Sequence, residues 1–283
     1  MNAHIIIVNF NAGDWLKRAV RSALEHSQAM VSVVDNASSD HSMQGLKQEF
    51  ANESRLDFIQ NEDNLGFAAA NNQVLSRLDH EFAVLMNPDC ELQAHSLERI
   101  LSVMQDDKEI GIASCRILNA DGSLQNTCKR RFPTPQSALL RMLGLSRFYP
   151  QLNFDFGATA LETDPVETLE AVSGAFMVVR ASAIDEVGLL DQEYFMHCED
   201  LDWCKRFALA GWKVNFVPAA VVTHAKGVSS EARPLGVLWN LHRGMDRFFT
   251  KFYAHTSWPL KVLVKIAIYL SFLPRAALAL IRR

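Results

Sequence analysis

The chain has no C-x-x-C pair, and its five cysteines (Cys90, Cys115, Cys128, Cys198 and Cys204) are odd in number and scattered. A zinc ribbon and a disulfide framework are therefore excluded, and a reducing cytosol is the expected setting. Also missing are a Gly-Lys-Ser/Thr phosphate loop and a G-x-G-x-x-G turn after the first strand-like run, which removes the ordinary ATPase and dinucleotide readings. Residues 5–8 begin an apolar run almost at once, without the positive n-region, long h-region or small-residue cleavage site of a secretory signal. The protein is expected to stay inside unless its other end anchors it. Internal repeats and low-complexity tracts are absent as well.

What is present is a chain of 283 residues, 49% of them apolar, enough to bury one sizeable core or two. The formal charge of −4 is unevenly spread: residues 233–283 carry nine Lys/Arg against the single acid Asp246, a balance of +8 against −12 for the rest. An acidic body with a basic tail is the asymmetry expected where one end meets an anionic surface. No nucleic-acid partner is expected.

Short β-branched runs alternate with helix-like stretches of about a dozen residues, the pattern of βα units around a largely parallel sheet. Strands are expected at 5–8, 31–34, 56–59 and 82–86. Between them, helices are expected from a cap at Asp14, over 46–50 and over 66–78, and another follows at 94–104. The stretch 132–168, with Pro133, Pro135, Pro150 and Pro165, has no sustained period and reads as a long loop or partly helical insertion. A strand resumes at 173–179, a helix spans 199–210, and two short strands occupy 213–217 and 221–223. Polar residues sit where strands stop, on the rim at which open α/β sheets bind ligands.

The C-terminal segment differs in kind. Lys261, Lys265, Arg275, Arg282 and Arg283 fall within about a third of the helical wheel, with apolar residues over the rest and Pro274 as a candidate kink. A core-packing helix pair, an interfacial helix and a spanning helix are all open. The interfacial placement is favoured because spanning would put Lys265 in hydrocarbon at a few kcal/mol. Upstream, Arg243, Arg247 and Lys251 recur at i, i+4, i+8 beside Phe248, Phe249 and Phe252. That basic stripe is suited to phosphates at a membrane surface or to a solvated helix face.

Several strand ends carry candidate chemistry. Asp35 and Asn36 open a turn of short polar side chains able to accept from a base or bind ribose, although plain turns use the same residues. Residues 64–71 place Gly66 and small side chains at a helix start, where free N–H groups favour an anion. Asp89, after Asn87-Pro88, offers a carboxylate to a hard divalent cation or simply caps a helix. Glu199, Asp200 and Asp202 crowd three carboxylates among Phe195, Met196, Leu201 and Trp203, which raises their pKa values and suits a general base. The alternative is a helix N-terminus that accommodates acids. His224 ends a strand before Gly227 and Ser229, either completing a metal site or packing as a polar core residue.

Taken in order, residues 6–11, 33–40, 61–72, 85–89, 172–176, 195–202 and His224 resemble the inverting family 2 glycosyltransferases of the GT-A fold, in particular the bacterial rhamnosyltransferase-like branch. The resemblance spans residues 4 to about 230. It implies an α/β fold, a mostly parallel sheet flanked by helices, with C-terminal amphipathic helices outside the catalytic domain. The implied domains are 1–230, with a nucleotide half (1–115) and an acceptor half (116–230), and a membrane-associating segment at 231–283. The implied donor site comprises Val8, Asn9, Asn11, Asp35, Asn36, Asn64, Gly66, Asn71 and Asn87. Asp89 and His224 would hold Mg2+ or Mn2+, Asp200 would be the base with Glu199 beside it, and Gly174, Ala175, Asp202, Arg243 and Arg247 would meet the acceptor. One departure stands out: the family's metal motif is usually Asp-x-Asp, and here its first position is Asn87.

The implied donor is a nucleotide-diphospho-sugar, dTDP-L-rhamnose in this branch, with UDP-galactose or UDP-glucose as alternatives. The implied acceptor is a polyprenyl-diphosphate-linked saccharide at the cytoplasmic face of the inner membrane. A nucleotidyltransferase is the enzymatic rival, although residues 9–13 lack the basic residue such a loop carries. A catalytically inactive sugar-binding scaffold is the other.

Overall fold

The computed structural model describes residues 2–142, 161, 163–225 and 234–281. Its first half is β1 (Ala3–Asn9), α1 (Asp14–Glu25), β2 (Met30–Asp35), α2 (Ser42–Glu49), β3 (Leu56–Gln60), α3 (Phe67–Leu75) and β4 (Phe82–Met86). These four strands lie in parallel in the order β3-β2-β1-β4. The run at the start of the chain explains why. Ile5 and Ile7 enter one core with Leu16 and Val20 of α1, while Ile6 and Val8 enter another with Val74 of α3. Successive side chains of a strand point to opposite faces, so a continuous apolar run marks a strand covered on both sides.

Beyond β4 the sheet becomes mixed. The elements are β5 (Cys90–Leu92), α4 (Ser96–Asp106), β6 (Ile110–Leu118), β7 (Lys129–Arg130), α5 (Pro135–Met142), β8 (Glu167–Leu169), β9 (Ala171–Val172), β10 (Phe176–Arg180), α6 (Ala181–Val187), α7 (Glu199–Leu209) and β11 (Lys213–His224). The nine-stranded sheet runs β3-β2-β1-β4-β10-β6-β11-β5, with β8 also on β11, while β7 and β9 form a separate ribbon. Strand β10 is antiparallel to β4 and β6, whereas β6 and β11 are parallel.

Several local expectations are corrected. Asp14 is the first residue of α1 and Gly13 its cap, at φ 58°. The stretch 213–223 is one strand with a register shift between Val217 and Val221 rather than two, since Pro218 cannot donate to the ladder. Residues 173–175 leave the sheet between β9 and β10. Within 132–168, Pro135–Met142 is helical and β8 begins at Glu167, while 143–160, including Pro150, lies outside the described residues. Gly227, Ser229, Arg282 and Arg283 also lie outside them.

Three helices close the chain: α8 (Pro234–Phe252), α9 (Trp258–Leu270) and α10 (Phe272–Ile281). Helix α8 belongs to the core: Phe248 is fully buried in the second apolar cluster. Val264 and Ile268 of α9 pack on Phe249 and Ala138 in a third. The break at Ser271 follows from Pro274, which cannot donate to the Leu270 carbonyl and crowds it. Trp258, Val262, Ile266, Leu270 and Leu273, at i, i+4, i+8, i+12 and i+15, remain exposed, Trp258 by 76%. No helix among the described residues is long and apolar enough to cross a membrane.

Candidate active site

The carboxyl ends of β1 and β2 form the first part of the rim. Val8 and Asn9 are buried. Asn9 Nδ2 donates to Asp35 Oδ1 at 2.6 Å, to Ser38 Oγ at 3.0 Å and to Ser42 Oγ at 2.9 Å. Asp35 also accepts from the Ser38 amide, the Ser38 hydroxyl and Gln60 Nε2. Its acceptor positions are thus taken by Asn9 of β1, Ser38 of its own loop and Gln60 of β3. Asp35 therefore shapes the rim from within rather than presenting a free carboxylate to a base.

Asn11, in a left-handed conformation at φ 53°, ties that rim to the next turn by accepting from the Ser39 and Asp40 amides. Asn36 donates to the Gly66 carbonyl at 3.2 Å and accepts from Asn61 at 2.9 Å, and Asn64 Oδ1 accepts from the Gly66 amide. Gly66 has φ 86°, and a β-carbon there would stand 2.5 Å from the Phe195 carbonyl oxygen, so the chain closes only with glycine. Asn71 is fully buried, donates to the Phe67 carbonyl and leaves its Oδ1 without a partner.

At the ends of β4 and β11, Asp89 Oδ1 lies 3.1 Å from His224 Nε2, both side chains about nine-tenths buried. Gln125 fixes the imidazole: its Oε1 is 3.2 Å from His224 Nδ1, and its amide donates to the His224 carbonyl at 3.0 Å. With Nδ1–H given to Gln125, Nε2 is the atom left for a metal. Cys90 completes a three-residue cluster, but burial, reinforced by Asp89, pushes its thiol pKa well up, and it donates to the Ala175 carbonyl. One carboxylate oxygen and one imidazole nitrogen, buried and adjacent, fit a divalent cation that takes its other ligands from a diphosphate. The half-buried Asn87 donates its amide to the Ala175 carbonyl at 2.9 Å.

The segment 173–175 joins this pair to α7. Ala175 receives Asn87 and Cys90, while the Gly174 amide donates to Asp200 Oδ2 at 3.0 Å. Arg130 of β7 donates to the same oxygen at 2.7 Å, with both side chains less than one-fifth exposed. Glu199 is buried with Oε2 unpartnered. Burial, followed by repulsion from Asp200, raises its pKa to about 8, so at neutral pH it holds a proton. The turn that delivers these acids has two consecutive left-handed residues, His197 at φ 73° and Cys198 at φ 69°. Such strain persists only under packing, and α8 provides it: a β-carbon at Gly244 would stand 2.6 Å from the His197 carbonyl oxygen.

Two expected acceptor contacts are placed elsewhere. Asp202 lies about 200° around α7 from Asp200; it is fully buried and engaged by Arg206 at 2.7 Å, Tyr194 at 3.2 Å and Lys251 at 2.6 Å. Arg247 and Lys251 both grip Asp191, at 2.8 Å each. The basic stripe therefore serves to dock α8, and within it Arg243 remains exposed. Sequence reasoning overlooked Gln125, Arg130 and Gln60, isolated polar residues with no motif around them. The basic run 129–131 was the one legible signal.

The family model for glycosyl transferase family 2 matches residues 4–170. The N-acetylglucosaminyl-diphospho-decaprenol L-rhamnosyltransferase of Mycobacterium tuberculosis is 26% identical over 271 residues, which cover 90% of this chain and 85% of that protein. The rhamnosyltransferase WbbL of Escherichia coli K12 is 25% identical over 229 residues, covering 78% and 82%. Among solved structures, the mannosyltransferase PcManGT of Pyrobaculum calidifontis, in complex with GDP-Man and Mn2+, superposes with a TM-score of 0.60 at 17% identity, over 99% of this chain and 74% of that one. GalNAc-T7 with UDP, GalNAc and Mn2+ gives a TM-score of 0.62 at 16% identity, over 88% of this chain and 50% of that one. The α/β architecture is the GT-A fold, and the chain belongs to glycosyl transferase family 2.

Proposed function

We propose that the protein is an inverting glycosyltransferase that moves L-rhamnose from dTDP-L-rhamnose to a hydroxyl of a polyprenyl-diphosphate-linked saccharide in cell-surface polysaccharide synthesis. One observation carries the mechanism: the short segment 173–175 holds Asp200 through the Gly174 amide and the Asp89 loop through the Ala175 carbonyl. A base and a cation-binding carboxylate are thereby fixed relative to one another, as displacement at an anomeric carbon requires. The names of the two rhamnosyltransferase relatives support the sugar, and that of the Mycobacterium tuberculosis enzyme supports the lipid-linked acceptor.

The chemistry follows from the side chains. Asp200 Oδ2 is held by Arg130 and Gly174, whereas among the described residues Oδ1 accepts the Leu201 amide alone, at 2.8 Å. A lone pair on Oδ1 takes the proton of the attacking hydroxyl as its oxygen bonds to the anomeric carbon. The bond to the nucleotide diphosphate breaks on the opposite face, which inverts the centre. Asp89 and His224 would hold Mg2+ or Mn2+, whose chemistry when bound is to neutralise charge gathering on the departing diphosphate. Asn9, Asn11 and Asn36, organised around Asp35, shape the nucleotide end.

Residues 1–115 form the nucleotide half and 116–230 the acceptor half, with α8 bracing the latter. Helices α9 and α10 lay their exposed apolar stripe on the cytoplasmic face of the inner membrane, as a peripheral anchor. The test is a panel of dTDP-L-rhamnose, UDP-galactose and UDP-glucose, each with Mn2+ or Mg2+ and a polyprenyl-diphosphate acceptor, with Asp200→Asn alongside. Transfer from dTDP-L-rhamnose that falls by about 10²–10⁴-fold in Asp200→Asn, with nucleotide binding retained, is expected. Unchanged transfer rejects the base, nucleotidyl release favours the nucleotidyltransferase, and sugar binding without turnover favours the scaffold.

A further inference from the structure

At the end of β1 remote from Asn9, His4 sits beside the loop between α3 and β4 that carries Asp79 and His80. One ligand-capable atom from each lies within 4.8 Å of the others. The two imidazoles stand edge to face with centroids 4.9 Å apart, and His80 Nδ1 is 2.5 Å from Asp79 Oδ1. Despite that proximity, the Nδ1 atoms of both histidines are buried without hydrogen-bond geometry to any partner. Buried ring nitrogens that make no hydrogen bond to the described residues are costly unless something binds them.

We propose that His4, Asp79 and His80 form a second metal site, for Zn2+, at the opposite pole of the sheet from the candidate active site. Two imidazoles and one carboxylate, with a position open to solvent beside the exposed Asp79, are a donor set suited to that ion. Ser32 prepares the first ligand: its hydroxyl is 2.8 Å from His4 Nε2, and with the ring proton given to it Nδ1 carries the lone pair. The surrounding charges are Asp57 and Arg77, 3.8 Å from each other. Tetrahedral zinc bonds of about 2.0–2.1 Å place ligand atoms about 3.3 Å apart. Closure by about 1.5 Å is thus needed, supplied by the loop residues. His4 and Asn9 are five residue steps apart along β1, roughly 17 Å at about 3.3 Å each, so the site is separate from Asp89 and His224. Its effect is to tie the start of β1 to the entry of β4, a clamp on the two central parallel strands.

The experiment counts Zn2+ bound per chain by equilibrium dialysis of the untagged, metal-stripped protein, and follows Tm with and without Zn2+. Wild type is compared with His80→Ala, Asp79→Asn and Ser32→Ala. Loss of one equivalent and of the Zn2+-dependent rise in Tm in His80→Ala and Asp79→Asn, with affinity weakened by about tenfold in Ser32→Ala, is the expected result. Asp79 is exposed, so Asp79→Asn reports on the site even where a histidine variant folds poorly. Equal Zn2+ uptake in wild type and Asp79→Asn, or none in wild type, overturns the proposal. Neither readout depends on glycosyl transfer.

Discussion

Replacing Gly174 with alanine would displace the candidate base without touching its chemistry. The new β-carbon would stand 3.0 Å from Asp200 Cβ, 3.4 Å from Oδ2 and 3.5 Å from Cγ. That is tighter than carbon atoms ordinarily pack, so Asp200 must give by a few tenths of an ångström. That retreat stretches the bonds from Gly174 and Arg130, now 3.0 and 2.7 Å, which aim Oδ1. A misplacement of about 1 Å costs on the order of 10²-fold in rate, so a few tenths of an ångström costs about 1 kcal/mol of transition-state stabilisation. The same overpacking costs about 1–3 kcal/mol of stability. The assay is transfer from saturating dTDP-L-rhamnose, with Tm and nucleotide affinity measured on the same preparation. The expected outcome is a kcat loss of about fivefold with unchanged nucleotide affinity. Wild-type kcat in a folded Gly174→Ala protein would refute the claim that this segment positions the base.

Three further outcomes follow from the same contacts. Folded Glu199 keeps its proton up to about pH 8, whereas the unfolded residue releases it near 4.5. Stability should therefore fall as pH rises through that window and level off above it; Glu199→Gln should abolish that slope and be the more stable form at pH 8, as read by urea unfolding. Asp191 has a lowered pKa because the bonds from Lys251 and Arg247 outweigh its desolvation, so this contribution is present at neutral pH and lost on acidification below the ordinary carboxylate range. Asp191→Asn should cost about 1–2 kcal/mol, a discounted figure because both cations are about a third exposed, and should leave nucleotide affinity unchanged. Placing glutamate at Ile266 and Leu270, 48% and 54% exposed, should abolish flotation with anionic lipid vesicles while Tm holds; undiminished flotation would remove α9 and α10 as the anchor.

The parallel half of the sheet was legible because each of its strands is a continuous or alternating apolar run bounded by polar turns, as at 5–8 and 82–86. The antiparallel insertions were not. Strand β5 is three residues long, and β10 enters between β4 and β6 from a remote part of the chain. No local pattern encodes such a neighbour. Pro274 was correctly marked as a disturbance, yet the break appears upstream at Ser271, next to the Leu270 carbonyl at which the missing hydrogen bond would have ended.

For the site, residue types and order alone determined that carboxylates, amides and a histidine gather at strand ends, because turn chemistry and strand length are local properties. Which of those acids is sealed and which keeps some exposed surface was decided by tertiary contacts. Asp200 and Asp202 are two residues apart and chemically identical, yet one faces Gly174 and Arg130 while the other is sealed against Arg206, Tyr194 and Lys251. Likewise, Arg247 and Lys251 read as phosphate ligands until Asp191, some sixty residues earlier, meets them in space. A charge pattern records what a side chain is able to bind, and only packing selects the partner that reaches it first.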